Sequence, residues 1–194
     1  MNDCSKQPIP GQTLSLRAPR SLDELLNYRL LRLYAVSGAP VLRLLEGRYG
    51  ISRREWRLLA LLATQAGLSP SAIADLAHLD RPRASRGVAV LVQKGLAHRS
   101  ARAGDARHAV LGLTPAGQAL YDELFPQIAA LNKQVLQALD DATVQALDQA
   151  LTRLTDAATA LNAEAVRDVR ADRRAGGSRA ARQWPARGED ERLT

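Results

Sequence analysis

The sequence predicts a mainly α-helical chain carrying one small two-stranded ribbon. Three observations predict it. Apolar residues recur at steps of three and four along most of the 194 residues, the spacing of one helix face. Between Leu96 and Leu113 alone, the period drops to two. Clear start and stop signals, mostly Ser, Thr or Asp ahead of Pro or Glu and Gly after the last periodic residue, divide the helical part into short pieces.

Composition sets the bounds. Hydrophobic residues make up 46% and aromatics only 4%, so the core is built from Leu, Ala and Val. The formal net charge of +7 favours a polyanionic partner such as nucleic acid. One cysteine, Cys4, excludes an intramolecular disulfide. No apolar run is long enough to span a membrane, and the opening MNDCSKQPIPGQTL lacks the apolar stretch of a signal peptide. The expectation is a cytoplasmic protein with no membrane partner.

Residues 1–19 read as a flexible arm, broken by Pro8, Pro10, Gly11 and Pro19. Ser21 with Glu24 has the capping-box spacing and opens a helix. Its stripe is Leu22, Leu25, Leu26, Leu30 and Leu33, resuming at Val41, Leu44 and Leu45. Pro40 predicts a kink or a break near Gly38, and Gly47 and Gly50 end the element. Such a helix offers more apolar surface than a small domain covers, so it is expected to pack on a second copy.

The next start is sharper. Ser52 is an N-cap, Glu55 completes a capping box, and Ile51 with Trp56 forms a hydrophobic staple. The helix runs to about Thr64, apolar nearly all round. Arg53, Arg54 and Arg57 near its start suit either a phosphate contact or solvation of that end. Ser69 then caps a short helix with Pro70 in its first turn and Ile73, Leu76, Ala77 and Leu79 inward.

Asp80-Arg81-Pro82 turns directly into a further helix. Asp80 caps it, Pro82 suits its first turn, and Gly95 after Lys94 stops it. Ala84, Val88, Leu91, Val92 and Gly95 form the inward stripe. Arg83, Arg86, Ala89, Val90 and Gln93 face outward, with Arg81 and Lys94 at the ends. Two short helices joined by a tight turn, the second basic outside, have the layout of a helix-turn-helix.

After Gly95, Ala109, Leu111 and Leu113 alternate as a half-buried strand would, and Gly104-Asp105 supplies hairpin chemistry. Arg99, Arg102, Arg107 and His108 then make the ribbon a basic wing. Thr114-Pro115 starts another helix, with stripe Leu120, Leu124, Ile128, Leu131 and Val135 and a kink expected at Pro126. Asp140 caps a last helix, where Val144, Leu147, Leu151, Leu154, Ala158 and Leu161 make a heptad-like seam suited to helix association. From Ala165 the chain is rich in Arg, Gly and acid and poor in apolar residues. It is expected to be disordered and holds about three of the seven net charges.

These pieces carry a resemblance. Ile51-Ser52-Arg53-Arg54-Glu55-Trp56, Leu79-Asp80-Arg81-Pro82-Arg83, Lys94-Gly95-Leu96, Asp105-x-Arg107 and Leu113-Thr114-x-x-Gly117, in this order, resemble the MarR family of bacterial transcriptional regulators over roughly Ser21 to Leu161. The resemblance implies a winged helix-turn-helix domain over 20–164, with a DNA-binding lobe at about 51–113. Dimerisation helices lie at about 20–46 and 115–163, and 165–194 is a charged tail. It implies a homodimer on a pseudo-palindromic operator in double-stranded DNA, nucleoid-associated and not an enzyme, with no cofactor and no metal.

The expected DNA-binding residues are Arg81, Pro82, Arg83, Ser85, Arg86, Ala89, Gln93 and Lys94 on the recognition helix. On the wing they are Arg99, Arg102, Asp105, Arg107 and His108, with Asp105 bracing Arg107 for the minor groove. Ser52, Arg53, Arg54, Ser69 and Ser71 are the expected backbone contacts. Two departures stand out: Ala106 replaces an arginine common in the family, and Arg81-Pro82-Arg83 stands where Lys-Ser-Thr is commoner. The family also binds small, often aromatic-acid, effectors, for which Tyr28, Arg32, Tyr34, Trp56 and His78 are the candidate lining. The expected role is a repressor relieved by such a ligand. The alternatives are an interaction module with a degenerate winged helix and a DNA-binding protein without an effector.

Overall fold

The computed structural model describes residues 16–102 and 105–168, without the side chains of residues 102, 105–108 and 166–168. The expected arm up to residue 15, Cys4, the hairpin tip at Ala103-Gly104 and the tail from residue 169 lie outside the described residues. The chain divides into two compact units, Met1–Ala138 and Leu139–Thr194, so the division falls inside the expected dimerisation helices.

In the first unit a 3-10 turn over Leu22–Glu24 precedes helix α1, Leu26–Leu42, which continues as a π-helical segment over Arg43–Arg48. The Ser21 capping box does not form. Glu24 is buried and its carboxylate accepts from the Arg20 N–H at 2.7 Å. Leu25 is extended, which delays the helix by a few residues. Nor does the helix break near Gly38; it runs through Pro40, and the irregularity falls in the π-segment that follows. Pro40 has no N–H to offer the carbonyl four residues before it, and the turns after it are wound as the π-segment. None of the residues in α1 is buried.

Helix α2, Arg53–Thr64, starts as expected: Ser52 Oγ accepts from Glu55 N and Glu55 Oε2 accepts from Ser52 N. Helix α3, Pro70–Leu76, is capped by Ser69, which accepts from Ala72 N. Helix α4, Arg81–Gln93, is capped by Asp80, which accepts from Arg83 N at 2.8 Å. Both short helices end in the same backbone motif. After α4, Gly95 at φ 69° lets Leu96 N reach Leu91 O and Gly95 N reach Val92 O. After α3, His78 takes that left-handed place at φ 52°, with Leu79 N on Ala74 O and His78 N on Asp75 O. This is the Schellman closure, with histidine in the glycine position of the helix-turn-helix turn.

Strands β1, Ala97–Arg102, and β2, Asp105–Leu113, pair antiparallel from Ala97↔Leu113 outward, with an irregularity between Ala101 and Arg102. Leu111 is buried, and its N–H bonds Leu68 O at 2.9 Å, which joins the ribbon to the turn before α3. Ala109, two residues further out, is exposed, so the expected alternation is realised only at the root. Helix α5, Pro115–Leu136, is capped by Thr114 and continues through Pro126.

The main core joins Leu58, Leu59, Leu62, Ile73, Ala77, Val88, Leu91, Ala97 and Leu111. A smaller cluster of Leu45, Ile51 and Leu124 ties α1's end and α5 to it. The expected Ile51–Trp56 staple is present there. The second unit is helix α6, Asp141–Asp168, capped by Asp140 through Thr143 N at 2.7 Å. It extends past the expected boundary at Ala165 because Ala165-Val166-Arg167-Asp168 holds no helix breaker.

Candidate nucleic-acid interface

The interface is built outward from the packing of α4. Ala84, Gly87, Val88 and Leu91 are buried. Gly87, absent from the expected stripe, is the closest approach: a Cβ there would lie 2.5 Å from Leu58 Cδ1. Val92, expected inward, is 38% exposed, because Gly87 rather than Val92 lies on the buried arc. The opposite side presents Arg81, Pro82, Arg83, Ser85, Arg86, Ala89 and Gln93, all exposed.

The cations around this face are not equivalent. Lys94 donates from Nζ to Glu55 Oε2 at 2.6 Å and to Gly50 O at 2.7 Å. It therefore pins the end of α4 to the start of α2, where a phosphate contact was expected. Burial alone would raise the Glu55 carboxyl, but hydrogen bonds from Lys94 and Ser52, with the Lys94 charge, outweigh it and hold the group below the usual glutamate range. Arg83 Nε lies 3.3 Å from Asp80 Oδ2. Arg86 and Ser85 make no hydrogen bond or ion pair among the described residues.

Of the expected backbone contacts, Ser52 and Ser69 are the caps of α2 and α3. Ser71 is exposed, and its hydroxyl lies 3.2 Å from that of Ser69. Arg54 is exposed and runs its stem past Gly87. Arg53 turns the other way: its guanidinium donates to Gly38 O and lies 5.4 Å from the centre of the Tyr34 ring. Its Nε is buried with no hydrogen-bond partner among the described residues. Gly38 makes room, since a Cβ there would lie 3.0 Å from both terminal nitrogens. Arg57, which the sequence left open, donates to Ala77 O at 3.0 Å and closes the end of α3. On the wing Arg99 is exposed on β1; the side chains of Arg102, Asp105, Arg107 and His108 lie outside the described residues.

The five residues expected to line an effector pocket do not share one set of contacts. Arg32 pairs with Asp23 at 3.6 Å, and with Arg29, Leu33 and Val36 it borders a shallow cavity of about 310 Å³. Tyr28 is half-buried on α1. Tyr34 lies under Arg53. Trp56 stacks on Tyr121 at 5.8 Å, and Tyr121 on Phe125 at 5.4 Å. His78 is exposed in the turn between α3 and α4. The grouping misplaced His78 because it sits in a turn whose backbone conformation no helical spacing reveals.

Residues 49–108 match the model of the MarR family. A comparison with curated proteins finds no match. Among solved structures, a MarR family transcriptional regulator from Silicibacter pomeroyi is 25% identical, with a TM-score of 0.60 over 79% of this chain and 95% of that one. A MarR/EmrR family regulator from Acinetobacter sp. ADP1 shares the fold at a TM-score of 0.66 and 24% identity, over 72% of this chain and 98% of that one. NadR in complex with 4-hydroxyphenylacetate shares it at a TM-score of 0.58 and 24% identity, over 67% and 92%. The family match over the helix-turn-helix and ribbon, with the fold shared beyond it, supports a MarR-family winged-helix transcriptional regulator.

Proposed function

We propose that this chain is a dimeric, sequence-specific DNA-binding regulator, and a repressor relieved by a small aromatic acid. The observation that carries this reading is the outer face of α4. It is exposed from Arg81 to Gln93, basic, and held on three other elements by Gly87, Lys94 and the buried stripe. A slim basic helix backed this way fits the major groove. The net charge of +7 supplies the phosphate term.

Two apolar surfaces support a homodimer. On α1, Leu30, Leu33 and Val36 are 39%, 56% and 76% exposed. On α6, Leu147, Leu151, Leu154 and Leu161 of the seam are 38–67% exposed. Exposed apolar rows of this kind mark association surfaces. An effector reading draws support from the ligand-bound NadR structure and from Arg53, whose buried Nε lacks an acceptor above the Tyr34 ring. A carboxylate would supply one. Binding there would favour one spacing of the two recognition helices over another and so change operator affinity.

Fluorescence anisotropy on the DNA upstream of the gene, against a scrambled duplex and across salt, tests this reading. Sedimentation of the free protein tests the dimer. The expected result is a dimer with a large preference for the upstream DNA and a steep salt dependence. Equal weak binding to both duplexes, or a monomer, overturns it.

A further inference from the structure

Resting on the reading above, we propose that Arg86 is the residue through which this chain reads a guanine. Ala89 selects a thymine on the neighbouring base pair, while Arg81 and Arg83 serve the phosphate walls. The argument is one of direction. The buried residues Ala84, Gly87, Val88 and Leu91 fix which way α4 faces the protein. At about 100° per residue, Pro82, Arg86, Ala89 and Gln93 fall within about 30° of the opposite pole. Arg81 and Arg83 fall about 90–110° round from it, on the flanks. A helix lying in the major groove turns its pole to the base edges and its flanks to the two backbones.

The bonds set Arg83 and Lys94 apart from Arg86, while Arg81, like Arg86, makes none among the described residues and is assigned by direction alone. Arg83 is drawn to Asp80, a carboxylate itself fixed by the Arg83 N–H at 2.8 Å, and Lys94 is held by Glu55 and Gly50. Arg86, at the pole, makes no such bond among the described residues and is exposed. An unpaired guanidinium facing base edges has one best partner, the O6 and N7 acceptors of guanine. Pro82 and Ala89 offer the groove only apolar surface, which suits a thymine methyl. Ala89 is three residues beyond Arg86, about 4.5 Å along the axis, close to the base-pair rise of about 3.4 Å. The two contacts therefore fall on adjacent pairs. No carboxylate lies on the pole, and its one side-chain acceptor for cytosine N4 is the Gln93 amide oxygen. Gln93 is at the far end of the helix, away from the N-terminal residues that reach deepest.

The test is selection from randomised duplexes with the full-length protein, followed by anisotropy on the selected site. Arg86→Ala and Arg83→Ala are compared on the same site, on one with 7-deazaguanine in place of the invariant guanine, and on one with uracil at the adjacent thymine. Both side chains are exposed, and thermal melts check that the variants fold. Loss of guanine N7 is expected to cost the wild type about 5- to 100-fold in affinity and Arg86→Ala less than about twofold. Uracil is expected to weaken binding a few-fold, and Arg83→Ala to weaken all sequences alike. Selected half-sites without an invariant guanine, a 7-deaza penalty that survives in Arg86→Ala, or loss of the guanine preference in Arg83→Ala overturns the assignment while leaving a sequence-specific regulator. If no motif is enriched at all, the regulator reading fails and the assignment with it.

Discussion

Replacing Lys94 by methionine separates a structural lysine from a DNA contact. In the structure its ammonium is shared between Glu55 Oε2 at 2.6 Å and Gly50 O at 2.7 Å. Its side chain is 34% exposed and that of Glu55 only 14%. A hydrogen bond to a charged group contributes about 1.5–3 kcal/mol when buried, and an exposed pair about 0.2–1 kcal/mol. The partial exposure puts this one between, at about 1–2 kcal/mol. For a chain of this size that lowers Tm by about 2–8 °C. The pH dependence has a definite sign. Glu55 is held below its ordinary range in the folded chain, so its contribution is complete above the unfolded glutamate value of about 4.3 and is lost as pH falls through the folded one. The gap between wild type and Lys94→Met should therefore be full at pH 7 and shrink below about pH 4. Thermal melts by circular dichroism at the two pH values read the gap. Anisotropy against salt reads the other half: the slope of log affinity on log salt should be unchanged. An unchanged Tm with a slope reduced by about 1, as for a lost phosphate contact, would refute the reasoning.

Two further substitutions probe the backbone. A Cβ on Gly117 would lie 1.9 Å from the Leu96 carbonyl oxygen, a backbone atom that cannot swing aside. Gly117→Ala should cost about 2–3 kcal/mol in urea unfolding, and a neutral result would mean the ribbon and α5 part easily. His78 occupies a left-handed conformation at φ 52°. Because glycine takes that conformation freely, His78→Gly should raise the urea midpoint by about 0.5–1 kcal/mol equivalent; a lowered midpoint would give the imidazole a stabilising role.

What the sequence revealed, and what it hid, follows the range of the interactions. The caps Ser52, Ser69, Asp80 and Thr114 were legible because each acts on N–H groups within three residues. Ser21 had the same spacing and failed, since Glu24 bonds the Arg20 N–H and Leu25 leaves the helical conformation. Glu55 was legible as a capping residue. That the same carboxylate also holds Lys94, 39 residues on, depends on how α2 and α4 cross, which no local pattern encodes. The same crossing buries Gly87 against Leu58, and the placing of α3 beside α2 turns Arg57 to Ala77. Most of the outer face of α4 was legible because a single helix's periodicity defines it, although Val90, expected outward, is half-buried and Val92, expected inward, is exposed. The effector residues were not gathered because Tyr34, Trp56 and His78 answer to three different neighbours.

The fastening at the ribbon's root also bears on how fast and how tightly a partner can be engaged. Leu111 N bonds Leu68 O, Thr114 N bonds Leu96 O at 3.1 Å, and Thr114 Oγ1 donates to Gly95 O at 2.6 Å. The root of the wing is thus stitched to the entrance of α3 and the exit of α4 before anything binds. On the proposed reading, a duplex that meets both the helix and the wing finds their roots already at a set separation. Little conformational freedom in that part is surrendered on association, so contact energy there goes into affinity and not into ordering. Thr114 Oγ1 also caps α5 through Gly117 N, so Thr114→Val should speed dissociation and lower the melting temperature together, the lost cap alone costing about 1 kcal/mol.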